Sequence, residues 1–158
     1  MKMIKLAIIT GVILLLFKGA TGRTDQEYVF NLLDKQAKIH DLDPALVKAV
    51  TRVESNFNIR AKNPADPSYG LMQITPMLAQ DWGYVKDYKN PSPEEIERLY
   101  DPKVNTEIGC GQLSYLSSFG YNCMVHAFNV GLYGYFKGTR NYPYFDLVSK
   151  YYEKYKAI

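Results

Sequence analysis

Glu54 is the residue of this sequence best suited to chemistry. Val47 and Val50 precede it by seven and four residues, and Val53 and Phe57 flank the same side. On a helix, that spacing turns the carboxyl toward an apolar face. Burial disfavours the charged carboxylate and raises its pKa, which suits a general acid near neutral pH. A glutamate at a helix edge that reaches solvent fits the same periodicity, so the pattern alone leaves both readings open. Gln73 stands between apolar Met72 and Ile74, just after the turn glycine Gly70. Its amide can hold a hydroxyl or amide of a substrate, or satisfy nearby backbone. Asn129 stands close to Gly131 at the end of an apolar run. It is either a helix cap or a second binding amide.

These groups need helices to position them, and helix starts are frequent. Thr24-Asp25-Gln26-Glu27 reads as a capping box, with Val29, Leu32, Leu33 and Ala37 as its buried stripe. Asp43-Pro44 opens a helix whose apolar positions are Leu46, Ala49, Val50, Val53 and Phe57. Thr75-Pro76, Ser92-Pro93 and Asp101-Pro102 repeat that start signal. Val104, Ile108, Gln112 or Leu113, and Leu116 predict a longer helix ending near Gly120. A short apolar helix follows from Asn122 to Val130, and a tyrosine-rich one from about Pro143. No segment alternates with period two between hairpin turns, so the expectation is a mainly α, single-domain fold. At most a short strand pair is expected between Asn58 and Tyr69.

The 158 residues, 47% hydrophobic and 22% charged, suit one domain with a real core. The net charge of +3 comes from Lys2, Lys5 and Lys18. Without the first 22 residues, 16 basic residues face 16 acidic ones, which leaves no surplus to bind nucleic acid. Leu6–Phe17 is a run of 12 mostly apolar residues after a lysine-bearing start and before small residues at Ala20 and Gly22. That is the layout of a secretory signal over residues 1–22, with the domain proper over 23–158. The run is shorter than the ~20 apolar residues that cross a bilayer. An uncleaved anchor, with Lys18 reaching the surface, is the alternative and the only route to a membrane. Either way the domain is exported, to the periplasm or cell envelope.

Several motifs in order carry a resemblance. They are Glu54-Ser55-x-Phe57, Gly70-Leu71-Met72-Gln73-Ile74-x-Pro76, Asp101-Pro102-x-x-Asn105-x-x-x-Gly109, Tyr115-Leu116 and Ala127-Phe128-Asn129-x-Gly131. Together they resemble the soluble lytic transglycosylase family over roughly Leu42 to Tyr152. The short form looks most like members that accompany secretion or conjugation machines, or phage-encoded relatives. The resemblance implies a lysozyme-like α-helical fold. It also implies non-hydrolytic cleavage of the β-1,4 bond between N-acetylmuramic acid and N-acetylglucosamine, leaving a 1,6-anhydro end. Glu54 would be the acid and then the base, and Ser55 would support the helix end. Met72, Gln73 and Asn129 would line the glycan groove, with Ser68, Tyr69, Phe128 and Tyr144 as further groove candidates.

Two departures stand out. Phe128 replaces the tyrosine of the family's Ala-Tyr-Asn motif, which removes a hydroxyl near the acid; Tyr69 and Tyr144 are the candidates to replace it. Pro67-Ser68 stands where many members have Gly-Ala. Enzymes with a carboxylate nucleophile or base need a second carboxyl at defined separation, and no partner for Glu54 is obvious. Asp66 lies between prolines Pro64 and Pro67 and reads as a turn residue. Assistance from the substrate's own acetamido group removes that need.

Export permits a Cys110–Cys123 disulfide, with two buried thiols as the alternative. The helices that carry them meet near Gly120, ten residues after one cysteine and three before the other. At ~1.5 Å per residue, they lie at different heights unless the helices cross steeply. With His40 and His126 they match no metal motif, and neither a metal nor another cofactor is expected. Seven tyrosines fall between Tyr133 and Tyr155; most read as core or surface edge. Peptidoglycan strands are the expected partner and a monomer the expected state, with a secretion or conjugation component as a further candidate. A lysozyme-type hydrolase and a non-catalytic glycan-binding assembly module are the competing functions.

Overall fold

A computed structural model describes residues 25–157, and the expected signal segment lies outside them. Helix α1 covers 25–39 and buries Val29, Leu32, Leu33 and Ala37, the stripe expected of it. Helix α2 is Pro44–Ser55. A two-stranded antiparallel sheet follows, β1 (Lys62–Asn63) against β2 (Ser68–Tyr69). Then come α3 (Pro76–Asp81), α4 (Pro93–Leu99), α5 (Pro102–Ser117), α6 (Tyr121–Val130), α7 (Leu132–Phe136) and α8 (Tyr142–Lys156). The fold is mainly α with one short sheet, as expected.

The start signals act as written. Asp43, Thr75, Ser92, Asp101 and Asn141 each accept a backbone N–H of the first turn, and a proline opens each helix. Ser92 and Glu95 form a reciprocal capping box. Each such cap stabilises its helix by about 1 kcal/mol. The core joins Leu33, Val47 and Val50 to Ile108, Leu113 and Leu116, with Val125 and Val148 closing it. Helix α2 packs along α8, so the first and last thirds of the domain meet at the helix that carries Glu54.

One expectation needs correction, one helix was not expected, and one open alternative is resolved in the structure. Phe57 is not on the helix: α2 stops at Ser55, and Asn56 and Phe57 both take positive φ, 54° and 63°. Arg52 O receives the Asn56 N–H and closes the last turn. Helix α7 was not foreseen, because its five residues include Gly134 and none is buried. Cys110 and Cys123 are free, buried thiols in this structure, the second of the two arrangements the sequence left open. Burial pushes the Cys110 thiol up to about 12, so it stays protonated.

The loop from Tyr69 to Ile74 is the part of the fold that shapes the site. Tyr69 and Ile74 exchange backbone hydrogen bonds of 3.1 and 3.0 Å, which folds the loop back on itself. The buried Asn105 side chain holds it from below. Its amide oxygen accepts Met72 N–H at 2.7 Å, and its NH2 donates to Tyr69 O and Leu99 O at 2.7 Å each. Gly70 has φ +75°, and a Cβ there would lie 2.5 Å from Asn105 Nδ2 and 2.8 Å from Leu99 O. Gly109 is required in turn because a Cβ on α5 would meet the Met72 sulfur. A Gly70→Ala change therefore combines a left-handed alanine with a clash against fixed backbone. It should lower unfolding stability by about 2 kcal/mol or more in urea denaturation.

Candidate active site

Glu54 lies in the last turn of α2, one residue before the helix ends. It is partly buried, and desolvation raises its pKa from 4.5 to about 7. A single hydroxyl opposes that rise: Tyr144 donates to Glu54 Oε1 at 2.6 Å. No neighbouring charge contributes to the shift. Tyr144 is itself buried beside the carboxyl, which holds its phenol well above the ordinary tyrosine pKa and keeps it a donor. Of the two tyrosines that could replace the hydroxyl missing at Phe128, the structure therefore places Tyr144 on the acid. Tyr69 is buried elsewhere, edge-on to Tyr100 with centroids 5.5 Å apart.

A groove of about 640 Å³ opens between the loop after β2, α5 and the α6–α7 corner. Met72, Gln73 and Thr75 line it from the loop, Phe128 and Asn129 from α6, and Gln112 from α5. Met72, Gln73, Phe128 and Asn129 thus line one groove. Ser68 and Tyr69 are buried behind the loop and do not line the groove. Gln73 takes φ 50° and spends much of its amide locally, donating to Gly70 O and accepting from Ser68 Oγ, both at 2.9 Å. Its placement is thus fixed by the protein before any ligand arrives.

Glu54 and Tyr144 are not among the groove-lining residues, but two hydrogen-bonded paths tie them to the wall. Ser55 Oγ donates to Leu71 O at 2.7 Å, joining the end of α2 to the loop. On the other side, Asn141 donates from Nδ2 to Asn129 Oδ1 at 2.8 Å and accepts Tyr144 N–H at 3.1 Å. The Asn141 N–H donates to Nδ1 of buried His126 at 3.3 Å. Asn141 thus links the groove residue Asn129 to the tyrosine that touches the acid. Sequence reasoning missed it, although an asparagine two residues before Pro143 is an N-cap signal. It also gave Asn105 no role of its own; a lone amide on an apolar helix face was the clue. Among the described residues, no three His, Cys, Asp or Glu side chains gather as a metal site.

Comparison with known proteins fits this geometry. Residues 31–142 match the model of the Transglycosylase SLT domain, and the chain belongs to that family. A membrane-bound lytic murein transglycosylase E of Buchnera aphidicola subsp. Acyrthosiphon pisum is 36% identical over 86 residues, 54% of this chain and 38% of the relative. The protein of the same name from Buchnera aphidicola subsp. Baizongia pistaciae is 32% identical over 87 residues, 55% of this chain and 40% of the relative. The chain thus spans about two fifths of these relatives. An inactive mutant of the lytic transglycosylase Slt from Pseudomonas aeruginosa has a similar fold, with a TM-score of 0.52 and 25% identity. That likeness covers 77% of this chain and 20% of the other.

The raised Glu54 pKa links pH to stability. The folded protein keeps the proton up to about 7, whereas the unfolded chain loses it near 4.5. Between those values the native state binds more protons, so this contribution is full below 4.5 and is lost as pH rises through 7. Its size is at most about 3 kcal/mol. Glu54→Gln removes the titrating group and keeps an acceptor for Tyr144. Its stability relative to wild type should therefore improve as pH rises from below 4.5 to above 7, read from urea unfolding at each pH. A constant difference across that range would mean that Glu54 is not desolvated.

Proposed function

We propose that this chain is a peptidoglycan lytic transglycosylase, with Glu54 as its single acid and base. The observation that carries the proposal is a carboxyl poised near pH 7 by burial, with one hydroxyl donor and no charged neighbour. Such a group can give up a proton and take one back at the same pH. In the first step, Glu54 protonates the glycosidic oxygen as its bond to C1 of the muramic acid breaks. The 2-acetamido oxygen bonds to C1, and the resulting oxazolinium carries the positive charge. Tyr144 then donates to the new Glu54 carboxylate. In the second step, that carboxylate takes the proton of the O6 hydroxyl while O6 bonds to C1 and the acetamido oxygen leaves. The products are a 1,6-anhydro end and a free sugar hydroxyl, Glu54 is protonated again, and no water is consumed.

Met72, Gln73, Phe128 and Asn129 would hold the glycan, with Gln73 preset by Gly70 and Ser68. Exclusion of water from the bound sugar would favour ring closure over hydrolysis. The competing hydrolase would use water in the second step. The non-catalytic reading drew on Phe128 alone, and the Tyr144 hydroxyl on Glu54 weighs against it. The setting we infer is the cell envelope, where the protein would act as a monomer opening the wall locally around an assembled machine. The relatives' description as membrane-bound supports the envelope setting. Among the described residues, no helix is long and apolar enough to cross a membrane.

Product analysis tests the proposal. The purified protein and its Glu54→Gln variant are incubated with peptidoglycan, and the soluble fragments are weighed by mass spectrometry. Wild type should release anhydro-ended fragments, and the variant should be slower by ~10³-fold. Reducing ends in their place would make the protein a hydrolase. Binding with no fragments would make it a recognition module.

A further inference from the structure

A row of exposed aromatic rings starts where the groove stops. Gln112 lines the groove, and Tyr115 follows it one turn along α5 on the same face. The Tyr115 ring meets Phe119, in the turn that ends α5, at 5.7 Å between centroids, and Phe119 meets Phe136 of α7 at 5.9 Å. Both pairs are edge-to-face, at 77°. Helix α7 itself begins at the groove, where Leu132 and Tyr133 join the lining. The strip therefore leaves the groove along α5 and returns to it along α7. Tyr115 is 55% exposed, Phe119 44% and Phe136 63%, and no residue of α7 is buried. Three neighbouring large apolar rings left in water mark a binding surface.

The surroundings select the ligand. Residues 112–119 contain no charge; Ser117 and Ser118 are exposed there, with their hydroxyls donating to Ser114 O and Tyr115 O and free to accept. An anionic bilayer or a nucleic acid would call for a cluster of basic side chains. Of the two cations near α7, Lys137 lies over the Tyr133 ring and Arg140 bonds to Tyr135 O and Thr139 O. A neutral, hydroxyl-rich chain with apolar sugar faces fits rings, hydroxyls and little charge.

We propose that Tyr115, Phe119 and Phe136 form an auxiliary glycan-binding strip that holds sugar units of the strand lying beyond the groove. This rests on the glycan reading of the groove and extends it. The strip tightens binding to long strands and to intact wall, and leaves the chemistry of short fragments unchanged.

The test is a full-length variant carrying Tyr115→Ser, Phe119→Ser and Phe136→Ser, with Tyr115→Ser alone as a milder second variant. Circular dichroism and thermal melts confirm folding. Co-sedimentation with purified sacculi measures binding, and turnover of a soluble tetrasaccharide fragment measures chemistry. Sacculus binding should weaken by about tenfold in the triple variant and in the same direction in the single one. Tetrasaccharide turnover should stay within about twofold of wild type. Unchanged sacculus binding, or equal losses on both substrates, would overturn the proposal. So would retained sacculus binding with lost binding to phosphatidylglycerol vesicles, which would make the strip a lipid surface. Strip-dependent sacculus binding by a wild type that releases no product from either substrate would support the strip and refute the enzyme reading.

Discussion

The carboxyl of Glu54 is poorly solvated, and that single constraint organises the rest of the domain. A helix end normally faces water, so a desolvated acid there must be covered from outside its own helix. Helix α8 supplies the cover through its packing on α2, and Tyr144 supplies the one donor. Ser55 ties the loop from Tyr69 to Ile74 to the end of α2, next to Glu54 in sequence. That loop has little regular structure, so it depends on Asn105. With one side chain, Asn105 satisfies Met72 N–H, Tyr69 O and Leu99 O. Losing such an amide would leave buried backbone groups unpaired, at a cost of about 1–3 kcal/mol for each.

The same dependence explains why the motif residues are small or polar where they are. Gly70 leaves room for the Asn105 amide, and Gly109 leaves room for Met72. Neither glycine touches the acid. Each sets how closely α5 approaches the loop, and that approach fixes the wall of the groove. The tyrosine missing at Phe128 shows the other side of this economy. Phe128 has no hydroxyl to offer; the acid is contacted from α8, and Asn141 links that helix start to Asn129.

Local signals made most of the helices legible. Asp43-Pro44, Thr75-Pro76, Ser92-Pro93 and Asp101-Pro102 each combine a cap with a proline, and both work within a single turn. The apolar direction of Glu54 was legible for the same reason, because it depends on spacing along one helix. What was not legible depends on distant contacts. Tyr144 lies 90 residues from Glu54 in sequence, and nothing in either local pattern says that they meet. Asn105 reaches back more than thirty residues to its loop partners. The end of α2 was misplaced because Asn56 and Phe57 take left-handed conformations that periodicity does not report. Helix α7 was missed because it buries nothing.

The central claim is that Glu54 remains a neutral acid up to about pH 7 inside this site. The most direct measurement is a carbon-13 NMR titration of its side-chain carboxyl in the wild type and in Tyr144→Phe, assigned by comparison with Glu54→Gln. The account predicts a midpoint near 7 in the wild type. It also predicts a higher midpoint in Tyr144→Phe, because the hydroxyl stabilises the carboxylate. A wild-type midpoint near 4.5, unmoved by the loss of the hydroxyl, would contradict the account.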